Sequence, residues 1–207
     1  MSNTFPSSRV HDLMRTARFE VMPTAKIEEQ VLASVPRDVP VTVTAAQNKG
    51  IEATIALSVS LAGQGYRVVP HLAARMISGR PELEEIVARL TGAGITDVFI
   101  PGGDATPPAG SYEQALDLLE DLDTLGRPFS HIGITGYPES HPTIDDDVTI
   151  QSMWDKRKYA THIVTNMTFD AEHFGTWVER IRRRGVTLPV LVGVPGPVER
   201  AKLLRMA

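Results

Sequence analysis

Short apolar runs, rich in β-branched residues, alternate along the chain with segments of helical periodicity. The runs begin 22, 26, 31, 34, 30 and 27 residues apart. They occupy residues 18–22, 40–46, 66–72, 97–100, 131–135, 161–167 and 188–194. Each run is almost continuously apolar, which is typical of parallel strands buried on both faces. The pattern therefore predicts seven parallel strands.

The segments between the runs carry apolar residues with the spacing of one helix face. Within residues 83–90, 115–122 and 174–181 these residues stand at i, i+3, i+4 and i+7. A glycine follows each of the three segments, as is common just beyond a helix end. Seven βα units of roughly 30 residues each predict an α/β fold of the (β/α)8 TIM-type barrel class.

The two ends of the chain depart from this alternation. Residues 1–16 are polar and mixed, which predicts a poorly ordered or loosely packed leader before a single barrel domain over residues 17–207. Residues 198–207 are expected to begin the helix after the seventh strand. Seven strands leave two open edges, so the chain is a fragment, or a partner or the leader fills the gap. A doubly wound open sheet is the alternative, but residues 19–26 lack its Gly-rich phosphate loop.

Composition narrows the class of protein further. With 21 Lys and Arg against 25 Asp and Glu, the 207 residues carry a net charge of −4, which argues against a general nucleic-acid binder. No apolar run approaches the roughly 20 residues that a membrane helix needs, and the N-terminus lacks the apolar core of a secretory signal. The absence of cysteine excludes disulfides, zinc–thiolate sites and a cysteine nucleophile. These features predict a cytoplasmic protein with neither a membrane nor a nucleic-acid partner.

Glu20 is the main candidate for chemistry. The active site of a βα barrel lies at the carboxyl ends of its strands. A carboxylate inside an apolar strand must be paired, protonated or functional. Burial would raise the pKa of Glu20 and suit it to act as a general acid near neutral pH. A glutamate inside the barrel that is satisfied by a lysine or arginine is the alternative.

Further polar side chains follow the predicted strands. Asp104 comes after two glycines, and a turn or helix-capping aspartate is the alternative there. His71 and His141 end the third and fifth strands, but their spacing is not that of metal ligands, so no metal site is predicted. Tyr137 and His141 lie in a loop bracketed by prolines, where they could stack on or hydrogen-bond a flat heterocycle.

Three charged clusters have simple structural interpretations. The aspartates at 145–147 are expected to begin a helix, since carboxylates are favoured at its positive end. The basic residues 156–158 lie on that helix and either contact a phosphate or form a solvated face. The arginines at 182–184 are expected near a helix carboxyl end, as a solvated surface.

With these strand-end residues in place, the chain resembles the methylenetetrahydrofolate reductase family from Arg18 to about Leu204. The shared motifs are FEVMP at 19–23, PHL at 70–72, GD at 103–104, YPESHP at 137–142, KRK at 156–158 and FD at 169–170. The resemblance implies a (β/α)8 barrel that reduces 5,10-methylenetetrahydrofolate to 5-methyltetrahydrofolate, usually through FAD and NADH or NADPH. It places the chain in one-carbon metabolism and methionine biosynthesis.

The resemblance also implies roles for single residues. Glu20 matches the family's acid, which assists opening of the five-membered ring of the folate to an iminium. Asp104 matches an aspartate near flavin and folate whose charge favours a developing cation. Asn166 takes the place of an amide residue that holds the pterin. The positions implied to bind the flavin are Thr44, His71, Gly103, Tyr137, His141, Arg157 and Lys158.

Three positions depart from the family pattern. Gly102 replaces an arginine that grips the flavin diphosphate, so a bidentate contact is lost. Gln151 and Trp154 replace an aspartate and an asparagine, and the indole is expected to obstruct the usual nucleotide path. We therefore hypothesise a reductase that binds FAD weakly or not at all and passes hydride directly from NAD(P)H to the folate. A non-catalytic folate- or flavin-binding barrel and a folate-linked methyltransferase are the alternatives.

Overall fold

A computed structural model of the chain describes residues 7–203, with the side chains of 11–199, 201 and 203. All seven predicted strands are confirmed. They are β1 Phe19–Val21, β2 Val41–Val43, β3 Val68–Pro70, β4 Asp97–Ile100, β5 His131–Gly136, β6 His162–Met167 and β7 Val190–Gly193. The helices are α1 Ser7–Arg15, α2 Ile27–Ser34, α3 Gly50–Gly63, α4 Arg80–Gly92, α5 Ala115–Thr124, α6 Asp146–Lys156, α7 Ala171–Arg183 and α8 Arg200–Leu203.

The strands form two parallel sheets, each in chain order, that meet at a single bridge. β1, β2 and β3 pair in that order, as do β4, β5, β6 and β7. The two segments join where the Leu72 amide donates to the Phe99 carbonyl at 2.8 Å and His71 bridges Phe99. The chain thus has the (β/α)8 barrel fold, with seven βα units. Within residues 7–203, β1 pairs only with β2, and β7 only with β6.

The outer face of the sheet is apolar and packs against the helices. Its buried side chains include Val41, Val43, Val68, Val98, Ile100, Ile132, Ile134 and Ile163. The predicted helix faces are confirmed, since Leu83, Leu90, Leu118 and Ile181 are buried against this layer. Each such side chain contributes about 1.5–3 kcal/mol by leaving water.

The inner face is more polar than the sequence predicts. Asp97 is 2% exposed and accepts hydrogen bonds from Arg67 at 2.6 Å and from Thr96 at 2.9 Å. His131 lies 3.6 Å from the same carboxylate. The Arg67 hydrogen bond helps to keep the pKa of Asp97 below its usual value. The prediction of strands that are apolar on both faces is wrong here. Charge is tolerated because Arg67 and His131 are half exposed at the amino end of the barrel.

Three rings and a glycine fill the middle of the barrel. A Cβ at Gly133 would lie 2.9 Å from His162 Nε2 and 3.1 Å from the Phe99 ring, so only glycine fits beneath them. The Phe99 ring in turn lies 4.6 Å from the ring of His71. These contacts join the inner faces of β4, β5 and β6 to the end of β3.

The tautomer of His162 follows from its neighbour Thr161. The Thr161 hydroxyl donates to the Ile132 carbonyl at 3.1 Å, so it accepts from Nδ1 of His162 at 2.9 Å. Nε2 is then a bare acceptor, and it is buried without a hydrogen-bond partner in the described part of the chain. Burial, reinforced by the charge of Arg18, lowers the pKa of His162 to about 4.

The two buried imidazoles predict a loss of stability in acid. Burial lowers the pKa of His71 to about 4 as well, below the ordinary value of 6.5. Between those values the unfolded chain binds more protons than the folded one, so stability rises with pH. As pH falls from 6.5 through 4, we expect the free energy of unfolding to drop by up to about 3 kcal/mol for each histidine. Urea denaturation at several pH values would measure this drop.

A matched pair of variants separates this effect from general acid denaturation. His162→Asn should flatten part of the slope, whereas His11→Gln, on the exposed part of α1, should leave it unchanged. A wild-type stability that stays level from pH 6.5 to 4 would contradict the prediction.

The chain ends are only partly described. Residues 1–6 lie outside the described residues, and residues 11–16, which end α1 and follow it, are exposed. The leader over residues 1–16 stays a prediction. Helix α8 begins at Arg200, as the pattern at 198–207 predicts, and residues 204–207 lie outside the described part. None of the helices within residues 7–203 is long and apolar enough to cross a membrane.

Candidate active site

Glu20 and His71 meet at the carboxyl ends of the first and third strands. The Glu20 carboxylate lies 3.7 Å from Nε2 of His71. Register explains the contact, because Glu20 pairs with Thr42 and Thr42 with Val69, two residues before His71 on the same face. In the described residues β1 pairs only with β2, and the Glu20 side chain is 60% exposed, less buried than the sequence predicts.

The protonation of this pair suits an acid. Loss of surrounding water at the barrel mouth raises the pKa of Glu20 above its ordinary value, although the side chain is partly exposed. His71 is only 9% exposed, and burial holds its pKa near 4. A raised pKa favours the protonated form of the Glu20 carboxyl, and a lowered pKa favours the neutral form of the imidazole beside it. The pair therefore combines a carboxyl that holds its proton more firmly than usual with an uncharged neighbour.

Backbone turns fix the neighbouring strand ends. The Thr44 amide and hydroxyl both donate to the Val21 carbonyl, at 2.9 and 3.3 Å, which ties the end of β2 to β1. Gly103 has a φ of +86°, and a Cβ there would lie 3.0 Å from Cβ of Ala73. Glycine is needed at this close turn, which leaves the following Asp104 exposed at the mouth.

Tyr137 and His141 form an aromatic pair in the loop after β5. Their ring centroids are 4.9 Å apart in an edge-to-face arrangement. The pKa of Tyr137 is raised, chiefly by burial and further by the charge of Asp104. A flat heterocycle could rest against this aromatic pair.

Asn166 lies in an irregular stretch near the end of β6. Its side chain is exposed, while its carbonyl accepts from the hydroxyls of Thr165 at 2.7 Å and Thr168 at 3.3 Å. The register between β6 and β7 shifts over Val164–Met167, so Asn166 leaves the regular ladder. The amide group is thus free to face a ligand.

The cations at 156–158 diverge and form no common site. Lys156 is 5% exposed against the barrel, and burial lowers its pKa to about 8. The Arg157 guanidinium lies 3.6 Å from the Trp154 ring centre and donates to the Trp154 carbonyl at 2.6 Å. Lys158 sits over the ring of Tyr159 at 4.6 Å. The three side chains therefore do not form a single solvated face, and the predicted ligand contacts of Arg157 and Lys158 stay predictions.

The neighbouring acidic and basic clusters follow the predicted helix ends. Asp145 accepts from the Asp147 amide at 2.8 Å and so caps α6, as predicted. Arg180 pairs with Asp146 at 2.9 Å and with Asp147 at 2.8 Å. Arg182 and Arg183 lie in the last turn of α7. In the part of the chain that the structure describes, no group of three His, Asp or Glu side chains is arranged to hold a metal.

A flavin dinucleotide would need cations for its diphosphate, and two candidate arginines already have partners within the chain. Arg75, which reaches the loop after β4, already donates to the carbonyls of Ala105 at 2.7 Å and Glu113 at 3.1 Å. Arg157 is engaged by Trp154, as described above. The groove between α5 and α6, about 360 Å³ in volume, carries the carboxylates of Asp147 and Asp155.

The sequence analysis missed two groups at the mouth. Glu139 accepts from the Phe169 amide at 3.0 Å, and His173 contacts the Pro138 carbonyl at 2.7 Å. Glu139 lies inside the YPESHP motif, which was the available signal. His173 lies in a helix with no pattern that distinguishes it from a surface residue.

Comparison with known proteins gives one family. A family model described as methylenetetrahydrofolate reductase matches residues 15–207. Methylenetetrahydrofolate reductase 2 of Saccharomyces cerevisiae (strain ATCC 204508 / S288c) is 30% identical over 106 residues, which are 49% of this chain and 18% of the yeast protein. Methylenetetrahydrofolate reductase (NADH) 1 of Arabidopsis thaliana is 27% identical over 147 residues, 61% of this chain and 24% of the plant protein. The matched segments thus span less than a quarter of either relative.

A solved structure supports the fold alone. A protein of Burkholderia cenocepacia J2315, described as a lyase/mutase, superposes with a TM-score of 0.58 at 18% sequence identity. The superposition covers 92% of this chain and 75% of that chain.

Proposed function

Because the chain belongs to the methylenetetrahydrofolate reductase family, we propose that it reduces 5,10-methylenetetrahydrofolate to 5-methyltetrahydrofolate with NADH or NADPH. The observation that carries the proposal is Glu20, an acid with a raised pKa at the carboxyl end of β1 beside the neutral His71. A protonated carboxyl at this end of the barrel is what opening of the folate ring requires.

The proposed reaction begins with a proton from Glu20 to N10 of the folate. The bond between N10 and the methylene carbon breaks, and N5 and that carbon become an iminium. Hydride from the reduced nicotinamide then adds to the carbon, which gives the methyl product and oxidised NAD(P)⁺. Asp104 provides the negative charge that stabilises the cation. Asn166 holds the pterin, with Tyr137 and His141 at its edge.

We further infer that hydride passes without a tightly held flavin. Support comes from Gly102 in place of an arginine and from the engagement of Arg75 and Arg157 by partners within the chain.

The test is anaerobic formation of 5-methyltetrahydrofolate, followed by mass spectrometry. The mixture contains a flavin-free preparation, methylenetetrahydrofolate and NADH or NADPH, first without and then with added FAD. We expect product without FAD and little gain when FAD is added. With a nicotinamide deuterated at C4, one deuterium should appear in the product methyl group.

The other outcomes separate the alternatives. Product that appears only with FAD keeps the reductase and removes the direct transfer. Folate binding with no product under either condition favours a non-catalytic barrel. Methyl transfer to an acceptor without any reductant would identify a folate-linked methyltransferase.

A further inference from the structure

Three hydrogen bonds join the loop after β5 to the loop after β6 and the start of α7. Oε1 of Glu139, in the first loop, accepts from the amides of Phe169 at 3.0 Å and Asp170 at 3.4 Å in the second. In the opposite direction, Nε2 of His173 lies 2.7 Å from the Pro138 carbonyl. Because a carbonyl only accepts, Nε2 carries the proton and donates.

The start of α7 completes a closed ring of hydrogen bonds through Glu139, Asp170, His173 and Pro138. Asp170 caps that helix by accepting from the amides of Glu172 at 2.8 Å and His173 at 3.0 Å. The cap fixes His173 relative to Asp170, while Glu139 fixes Asp170 relative to the other loop. Each loop is thus held at two adjacent points. Neither loop can shift relative to the other without breaking one of these hydrogen bonds.

The residues that we propose to contact the ligand lie next to this hydrogen-bonded ring in the sequence. Tyr137 precedes Pro138 and Glu139, and His141 follows them by two residues. Asn166, near the end of β6, lies three residues before Phe169. Glu139 and His173 are themselves outside the proposed chemistry, yet they set the distance between the two groups of ligand-contacting residues.

We propose that Glu139 and His173 are positioning residues, which hold the loops after β5 and β6 in register so that both contact one folate. This inference rests on the proposed function. Charge-assisted bonds from a carboxylate to backbone amides are among the stronger ones, and such a bond between two loops limits their relative motion.

Steady-state kinetics of Glu139→Ala and His173→Ala test the proposal. We expect each variant to raise KM for methylenetetrahydrofolate about 10-fold, with kcat within about twofold and the melting temperature little changed. Glu139→Gln keeps an acceptor oxygen and should recover most of the affinity. The double variant should be no worse than the poorer single variant, because either break releases the same ring. Glu172→Gln is the matched control, since its exposed carboxylate makes no contact in the described structure.

Hydrogen exchange adds a readout that does not depend on turnover. His173→Ala should speed exchange of the Phe169 amide, whose acceptor Glu139 is still present. Unchanged KM and exchange in both alanine variants would overturn the proposal, and so would effects that simply add in the double variant. If the wild-type protein binds no folate, the proposed function fails as well. If it binds folate and the variants bind equally, only the positioning role fails.

Discussion

Glu20→Gln should lower kcat for methylenetetrahydrofolate reduction by about 100- to 10,000-fold, the usual contribution of a general acid. The amide keeps the shape of the side chain but has no proton to give to N10. The wild-type rate should also fall as pH rises through the raised pKa of Glu20, since the protonated form is the donor. That limb of the pH profile should be missing in the variant. Stopped-flow oxidation of NAD(P)H across pH would measure both effects.

The fold should be unaffected by this substitution. The Glu20 side chain is 60% exposed, so the change in the free energy of unfolding should stay within about 1 kcal/mol. Glu29→Gln, on the exposed surface of α2, is the matched control and should keep the wild-type rate. Normal turnover by Glu20→Gln would show that Glu20 is not the general acid.

Gly102→Arg should increase the affinity for FAD by about 10- to 100-fold, because a bidentate contact to phosphate contributes roughly 1.5–3 kcal/mol. The position accepts a side chain, since a Cβ at Gly102 would meet no atom within 4 Å. The arginine would lie at the end of β4, at the position where the pattern of the methylenetetrahydrofolate reductase family has an arginine. Quenching of FAD fluorescence on titration with protein would report the affinity.

A second arginine distinguishes this contact from a general gain of positive charge. Gly92→Arg, at the carboxyl end of α4, adds the same charge at another open glycine and should not change FAD binding. If both variants gain equally, the effect is long-range electrostatics. If neither gains, the missing arginine is not what limits flavin binding.

The fold was predictable because its signal is repeated. Each βα unit carries an apolar strand and an amphipathic helix, so an error in one unit leaves the others intact. The inner face was less predictable. Asp97 begins an apolar run, and nothing local to it reveals that Arg67, thirty residues earlier, supplies its partner.

The site was predictable where residues leave strand ends and unpredictable where they pair across loops. Glu20 and His71 were each predicted at a strand end, but their contact across two strands was not. The sequence-based expectation treated residues 156–158 as a unit. In the structure Lys156 is buried, whereas the Arg157 guanidinium packs over the Trp154 ring. Such contacts depend on side-chain packing, which periodicity does not encode.

Because Nε2 of His162 has no hydrogen-bond partner in the described residues, its NMR signal can report on the interior of the barrel. With Nδ1 protonated and held by Thr161, the ring should give one slowly exchanging proton signal and an Nε2 resonance typical of a free lone pair. Any molecule that donates to Nε2 would shift that nitrogen signal alone. Nitrogen-15 labelling of histidine would therefore show when something enters the interior of the barrel, whatever happens at its mouth.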